Sequence, residues 1–195
     1  MKNKFLKAAF IGFFLTVSSF ANASLIKVGG TGTTGAGNII LLGGGTTSDV
    51  FSSAYDSSVT TPASGWVWDV TNAVNNASYY TFTFSLAGFD ISTANLSGLW
   101  GVDNVGSASL NGNLISDLPN LLYSNFNSLT AFAIGGSSVF FNTNTNILTF
   151  EVTDQRAPGA FRASVQVTAN AVPEPSVPAI LGLGLMFLTY RRFIF

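Results

Sequence analysis

Three stretches of this chain alternate apolar and polar residues with a period of two. Tyr80, Phe82, Phe84 and Leu86 interleave with Tyr79, Thr81, Thr83 and Ser85; Leu148, Phe150 and Val152 interleave with Thr149, Glu151 and Thr153. Phe161, Ala163, Val165, Val167 and Ala169 interleave with Arg162, Ser164, Gln166 and Thr168. Successive side chains of an extended backbone point to opposite faces, so the pattern predicts strands with one buried and one wet face, as antiparallel sheets allow. Apolar runs predict further strands at Trp66 to Val70, Leu96 to Val102, Ala108 to Leu110 and Leu129 to Ile134. Turn signals separate them at Ala87-Gly88, Asp103-Asn104, Asn111-Gly112-Asn113 and Ala157-Pro158-Gly159. No stretch of this region has capped helical periodicity. The expectation is an all-β, antiparallel two-sheet sandwich of the jelly-roll kind. Its core would span residues 66 to 171, preceded by a Gly-, Thr- and Ser-rich segment at 24 to 65 with apolar runs at Leu25 to Val28 and Ile39 to Leu42. That segment reads as the first strands joined by long loops, or as a floppy leader.

Both ends break the alternation. Lys2, Lys4 and Lys7 precede the apolar run Ala8 to Val17, and Ala21-Asn22-Ala23 supplies the small residues a signal peptidase requires, so residues 1 to 23 read as a signal peptide and Ser24 as the mature start. At the other end Pro173, Glu174 and Pro175 form an extended hinge before 14 uncharged residues (177 to 190) and then Arg191-Arg192. As a helix that run is roughly 21 Å long against about 30 Å of hydrocarbon, short for a permanent span. A Pro-Glu-Pro motif, an apolar helix and a basic end, in that order over residues 172 to 195, resemble the PEP-CTERM sorting signal. The resemblance implies export from a Gram-negative bacterium, a transient inner-membrane anchor, and an exosortase that recognises Pro173, Glu174 and Pro175. Arg191 and Arg192 would act as the stop. A plain tail anchor is the alternative.

Charge narrows the partners. Residues 24 to 171 carry three basic side chains (Lys27, Arg156, Arg162) against eight acidic ones, a net of −5, so nucleic acid is excluded as a partner. Only 9% of the whole chain is charged, which leaves Ser, Thr, Asn and Gly to supply the polar surface. With no His and no Cys, Ser-His and Cys-His nucleophiles and most zinc sites are ruled out. No cofactor is expected.

The runs Tyr80 to Phe89 and Leu96 to Val102, the Asp103-Asn104 corner, Leu110-Asn111-Gly112 and Asn144 to Val152 resemble, in their order, the galactose-binding-like jelly roll of some bacterial surface proteins and carbohydrate-binding modules. The resemblance covers roughly Trp66 to Ala169 and implies the fold more than a ligand.

Four motifs invite chemistry. Gly30-Thr31-Gly32-Thr33-Thr34-Gly35 matches a dinucleotide fingerprint literally, but no helix pattern follows, so a glycine-rich loop is expected. Asp103, Asn104 and Asp154 offer oxygen ligands for a structural calcium, or caps for turns. Glu151, the only Glu of the domain, falls on a wet strand face and reads as solvated. Trp66 and Trp68 share one strand face, either core or sugar platform, while Tyr55 and Tyr123 sit in polar loops suited to exposed contact. The leading expectation is a non-enzymatic cell-surface or extracellular-matrix protein, processed by signal peptidase and exosortase and associated with exopolysaccharide. A carbohydrate-binding module delivered by the same tail is the alternative, and a secreted hydrolase is disfavoured.

Overall fold

A computed structural model of the chain describes residues 23 to 173, except 34, 44, 120–123, 137 and 138. Ala21, Tyr123, Glu174, Pro175, Arg191, Arg192 and both terminal apolar runs lie outside the described residues. Among the described residues no helix is long and apolar enough to cross a membrane.

Among the described residues eleven strands follow one another: β1 (Ala23–Gly30), β2 (Ile39–Leu41), β3 (Thr47–Asp49), β4 (Val67–Asp69), β5 (Ala77–Ser85), β6 (Phe89–Asp103), β7 (Val105–Leu110), β8 (Asn113–Leu118), β9 (Thr130–Gly135), β10 (Thr145–Thr153) and β11 (Ala160–Ala171). They form an antiparallel two-sheet sandwich. One sheet runs β3-β4-β11-β6-β9 with β1 also on β11, and the other runs β2-β5-β10-β7-β8.

The alternation lands where the pattern places it. Phe82, Leu148, Phe150, Val152, Phe161, Ala163, Val165, Val167 and Ala169 are fully buried, and Tyr80, Phe84 and Leu86 nearly so. Each large side chain among them contributes about 1.5–3 kcal/mol by leaving water. Phe150 lies at the centre, 5.1 Å from the ring of Phe161, 5.5 Å from that of Trp100 and 6.2 Å from that of Phe132. At Asn111 and Gly112, φ values of 51° and 83° make the tight reversal between β7 and β8.

Residues 24 to 65 supply β1, β2 and β3, each paired to a later strand, so of the two readings of this segment the first-strands one holds and the leader does not. Other expectations need correction. β8 and β3 escape the pattern: β8 is an edge strand whose register shifts beside Ala108 and whose Leu114 is exposed, and β3 reads Thr-Ser-Asp with no apolar position. The strand expected at Leu96 to Val102 is the second half of a longer one, β6. Val70, expected to continue the parity of Trp66 and Trp68, is exposed beyond the end of β4, while Asp69 is buried.

The polar faces are less wet than the alternation implies. Arg162 and Ser164 are buried, because residues 51 to 65 cross the outer side of the first sheet. Tyr55, Trp66 and Ala160 form a second small core there, with Phe126 and Leu129 packed on it. Thr81 is also buried, flanked by Ile40 and Thr149.

Candidate functional site

The first sheet has a break in it. Along one side of β11, β1 pairs with residues 164 to 170, and β4 takes over at Phe161. Thr31 fills the junction: its N–H donates to the Ala163 carbonyl at 3.1 Å, and its hydroxyl oxygen accepts from the Ala163 N–H at 3.1 Å. Beside this junction the flank of the sandwich opens into a cleft of about 290 Å³, lined by Gly30 to Thr33, Gly37, Ile39, Thr47, Ser48, Asp49, Val67 and Tyr80. β2 and β3, the edge strands of the two sheets, form its walls, and the buried Val67 and Tyr80 close its base.

The glycine loop is the cleft's roof and is built for shape. A Cβ on Gly30 would collide with the Ala63 carbonyl, and one on Gly35 with the Thr31 carbonyl. Gly32 has φ 81°, a conformation side chains disfavour. The loop is latched by Asp49, whose carboxylate accepts from the Thr33 N–H at 3.0 Å and from the Thr33 hydroxyl. A phosphate would need that N–H, so the loop is filled by its own carboxylate. No helix follows it, and the dinucleotide motif is a matter of backbone packing.

At the base, the Tyr80 hydroxyl is buried and makes no hydrogen bond of ordinary geometry. Burial, then the nearby Asp69 charge, push its ionisation well above the usual tyrosine range although the Asp69 backbone opposes this, so it stays a neutral donor. Asp69 itself accepts from the Thr71 N–H and hydroxyl at 3.0 and 2.6 Å.

The sequence candidates gather elsewhere. Asp103, Asn104 and Asp154 are all buried at the corner joining β6, β7 and the β10–β11 loop. Asn104 Oδ1 accepts from the Gln155 and Arg156 N–H groups at 2.8 and 3.1 Å, and Asp154 Oδ1 accepts from Arg156 N–H at 2.7 Å. Asp103 accepts from the Tyr55 hydroxyl at 3.1 Å and from the Asn104 amide. The oxygens a calcium ion would need are thus committed to local donors, and the residues fit turn capping better than metal binding. Among the described residues no group of three or more acids could hold a metal. Burial pushes the Asp103 carboxyl up from 3.8 to about 6, the Tyr55 hydrogen bond opposes that, and the Asp154 charge adds to it.

Tyr55, expected to be exposed, is instead buried against Trp66 with ring centroids 4.9 Å apart. Trp66 and Trp68 are buried too: Trp66 donates from Nε1 to the Asp56 carbonyl at 2.8 Å, and Trp68 packs on Gly159, where a Cβ would clash with the indole. Neither forms a platform. Glu151 is exposed on its strand, facing Tyr79 and Ser107.

Sequence reasoning missed the cleft residues Thr47, Ser48 and Asp49, and it missed the role of Arg162. Arg162 donates to the Asp56 and Ser58 carbonyls at 2.7 and 2.6 Å and to Ser64 Oγ at 3.0 Å, and lies 3.7 Å from the Asp56 carboxylate. An isolated cation in an otherwise uncharged strand was the available signal.

No protein-family model matches the sequence, and no curated protein is similar to it. Among solved structures the chain is similar to a family 35 carbohydrate-binding module from an environmental isolate, at 14% identity and a TM-score of 0.39, over 74% of this chain and 98% of that one. It is similar to the CBM36-1 domain of a multidomain xylanase from the hindgut metagenome of Trinervitermes trinervoides, at 13% identity and a TM-score of 0.38, over 78% and 100%. A third is an exo-beta-1,3-galactanase from Phanerochaete chrysosporium, at 11% identity and a TM-score of 0.34, over 76% of this chain and 29% of that one. No residue role is carried over from them.

Proposed function

We propose that this is an exported, non-enzymatic surface protein whose sandwich holds extracellular polysaccharide in the flank cleft. The cleft carries the reading. Its lining combines Thr and Ser hydroxyls and peptide groups with apolar surface supplied chiefly by the half-buried Ile39, the mixture a sugar offers in return. Delivery rests on the sequence alone: a signal peptide ending at Ala23, and the Pro173-Glu174-Pro175 tail for an exosortase. The non-enzymatic reading follows from the missing His and Cys and from Glu151 standing in solvent on a sheet face. The test is recovery of the protein from producing cells before and after enzymatic removal of their polysaccharide coat. Release into the medium with the coat supports the reading, and unchanged retention on stripped cells opposes it.

A further inference from the structure

Resting on that reading, we infer that the cleft takes about one sugar residue of a neutral glycan and rejects acidic ones. At about 290 Å³ it lies at the bottom of the range for ligand sites, and buried Tyr80 and Val67 close its base.

Charge decides which sugar. Asp49 stands in the wall, and Asp69 lies opposite Thr47 in the β3–β4 pairing. Among the described residues no basic one lines the cleft. Lys27 donates to the Thr83 carbonyl at 2.6 Å over the Phe82 ring, and Arg162 is buried under residues 51 to 65. Arg156 sits in the β10–β11 loop. A uronate, sulfate or phosphate would meet like charge within the screening distance, about 8 Å in physiological salt. The backbone N–H best placed to receive it, that of Thr33, is already taken by Asp49. A neutral hydroxyl meets no such barrier.

The full-length chain, held in a nonionic detergent without a sugar headgroup, would be run on native gels cast with β-glucan, xylan, galactan, mannan or polygalacturonate. We expect retardation by at least one neutral polymer, relief of it by a neutral methyl pyranoside, and none by polygalacturonate. Ser48→Trp, on an exposed edge strand, would fill the cleft and weaken binding more than tenfold at unchanged melting temperature. Asp49→Asn would keep an acceptor for Thr33 and let polygalacturonate compete. Equal retardation by polygalacturonate, or full binding by Ser48→Trp, overturns the inference while leaving glycan binding standing. Retardation by none of the polymers overturns both.

Discussion

Asp103 holds a proton more tightly in the folded chain than in the unfolded one, because burial raises its carboxyl from 3.8 to about 6. Burial also raises Asp154, against the hydrogen bond from Arg156. A raised carboxyl stabilises the fold fully below the unfolded value, and that contribution disappears as the pH climbs through about 6. Urea denaturation should therefore show the protein about 1 kcal/mol more stable at pH 5 than at pH 7. Asp103→Asn should flatten the difference, and an equal slope in the variant would refute the assignment. Asp56 acts in the opposite sense: burial opposes its ionisation, but hydrogen bonds from Ser58 and Leu129 and the Arg162 charge outweigh that, so its contribution is lost only in stronger acid. Arg162→Met would strip the half-buried Asp56 carboxylate of its buried cation and leave the Asp56 and Ser58 carbonyls without their donor. The expected cost is about 3 kcal/mol, with new proteolytic cleavage between residues 51 and 65. A loss below about 1 kcal/mol would mean that the pair behaves as an ordinary surface salt bridge.

At the scale of elements, the strands were legible wherever one face meets the core and the other meets water. β10 shows this parity along its length, β5 everywhere but at Thr81, and β11 from Val165 onward, with Phe82, Phe150 and Val165 inward. Edge strands are held by backbone bonds on one side and bury little, so β3 and β8 leave no such trace. The same parity yields a paired test. Phe150→Asp should abolish folding, since it buries an unpaired charge in the central cluster. Thr83→Asp, exposed on the opposite face of β5, should shift the melting temperature little, as circular dichroism would record. Thr81 would be a misleading control because Ile40 and Thr149 close over it. In the roof of the cleft, Gly35→Ala would drive a Cβ into the Thr31 carbonyl. It should cost about 1–3 kcal/mol in urea unfolding and loosen the loop, whereas a neutral effect would show that the loop gives way freely.

For the whole molecule, the tail separates the two accounts of delivery. Changing Pro173, Glu174 and Pro175 to alanine should leave the sandwich folded, since β11 ends at Ala171. If an exosortase reads the motif, the native protein should lose residues 177 to 195 and the variant should stay in the inner membrane at full mass. Intact-mass analysis of surface, medium and membrane fractions distinguishes this from a plain anchor, for which neither mass nor location changes. Residues 177 to 195 found on the mature surface protein would remove the sorting proposal.

Local order was enough to place the strands of the core, because burial on one face of an extended chain writes itself into every second residue. Composition was enough to argue against a nucleic-acid partner and, with no His and no Cys in the chain, to exclude histidine- or cysteine-based catalysis. What the sequence could not reveal was where the outer faces are covered and where the edges gape, since both depend on partners far along the chain. Ser164 is buried by Pro62, and Tyr55 reaches Asp103 across 48 residues. The cleft lies beside the junction at which β1 and β4, remote in sequence, share one side of β11. Such pairings are set by the global packing of the sheets, and no window of neighbouring residues encodes them.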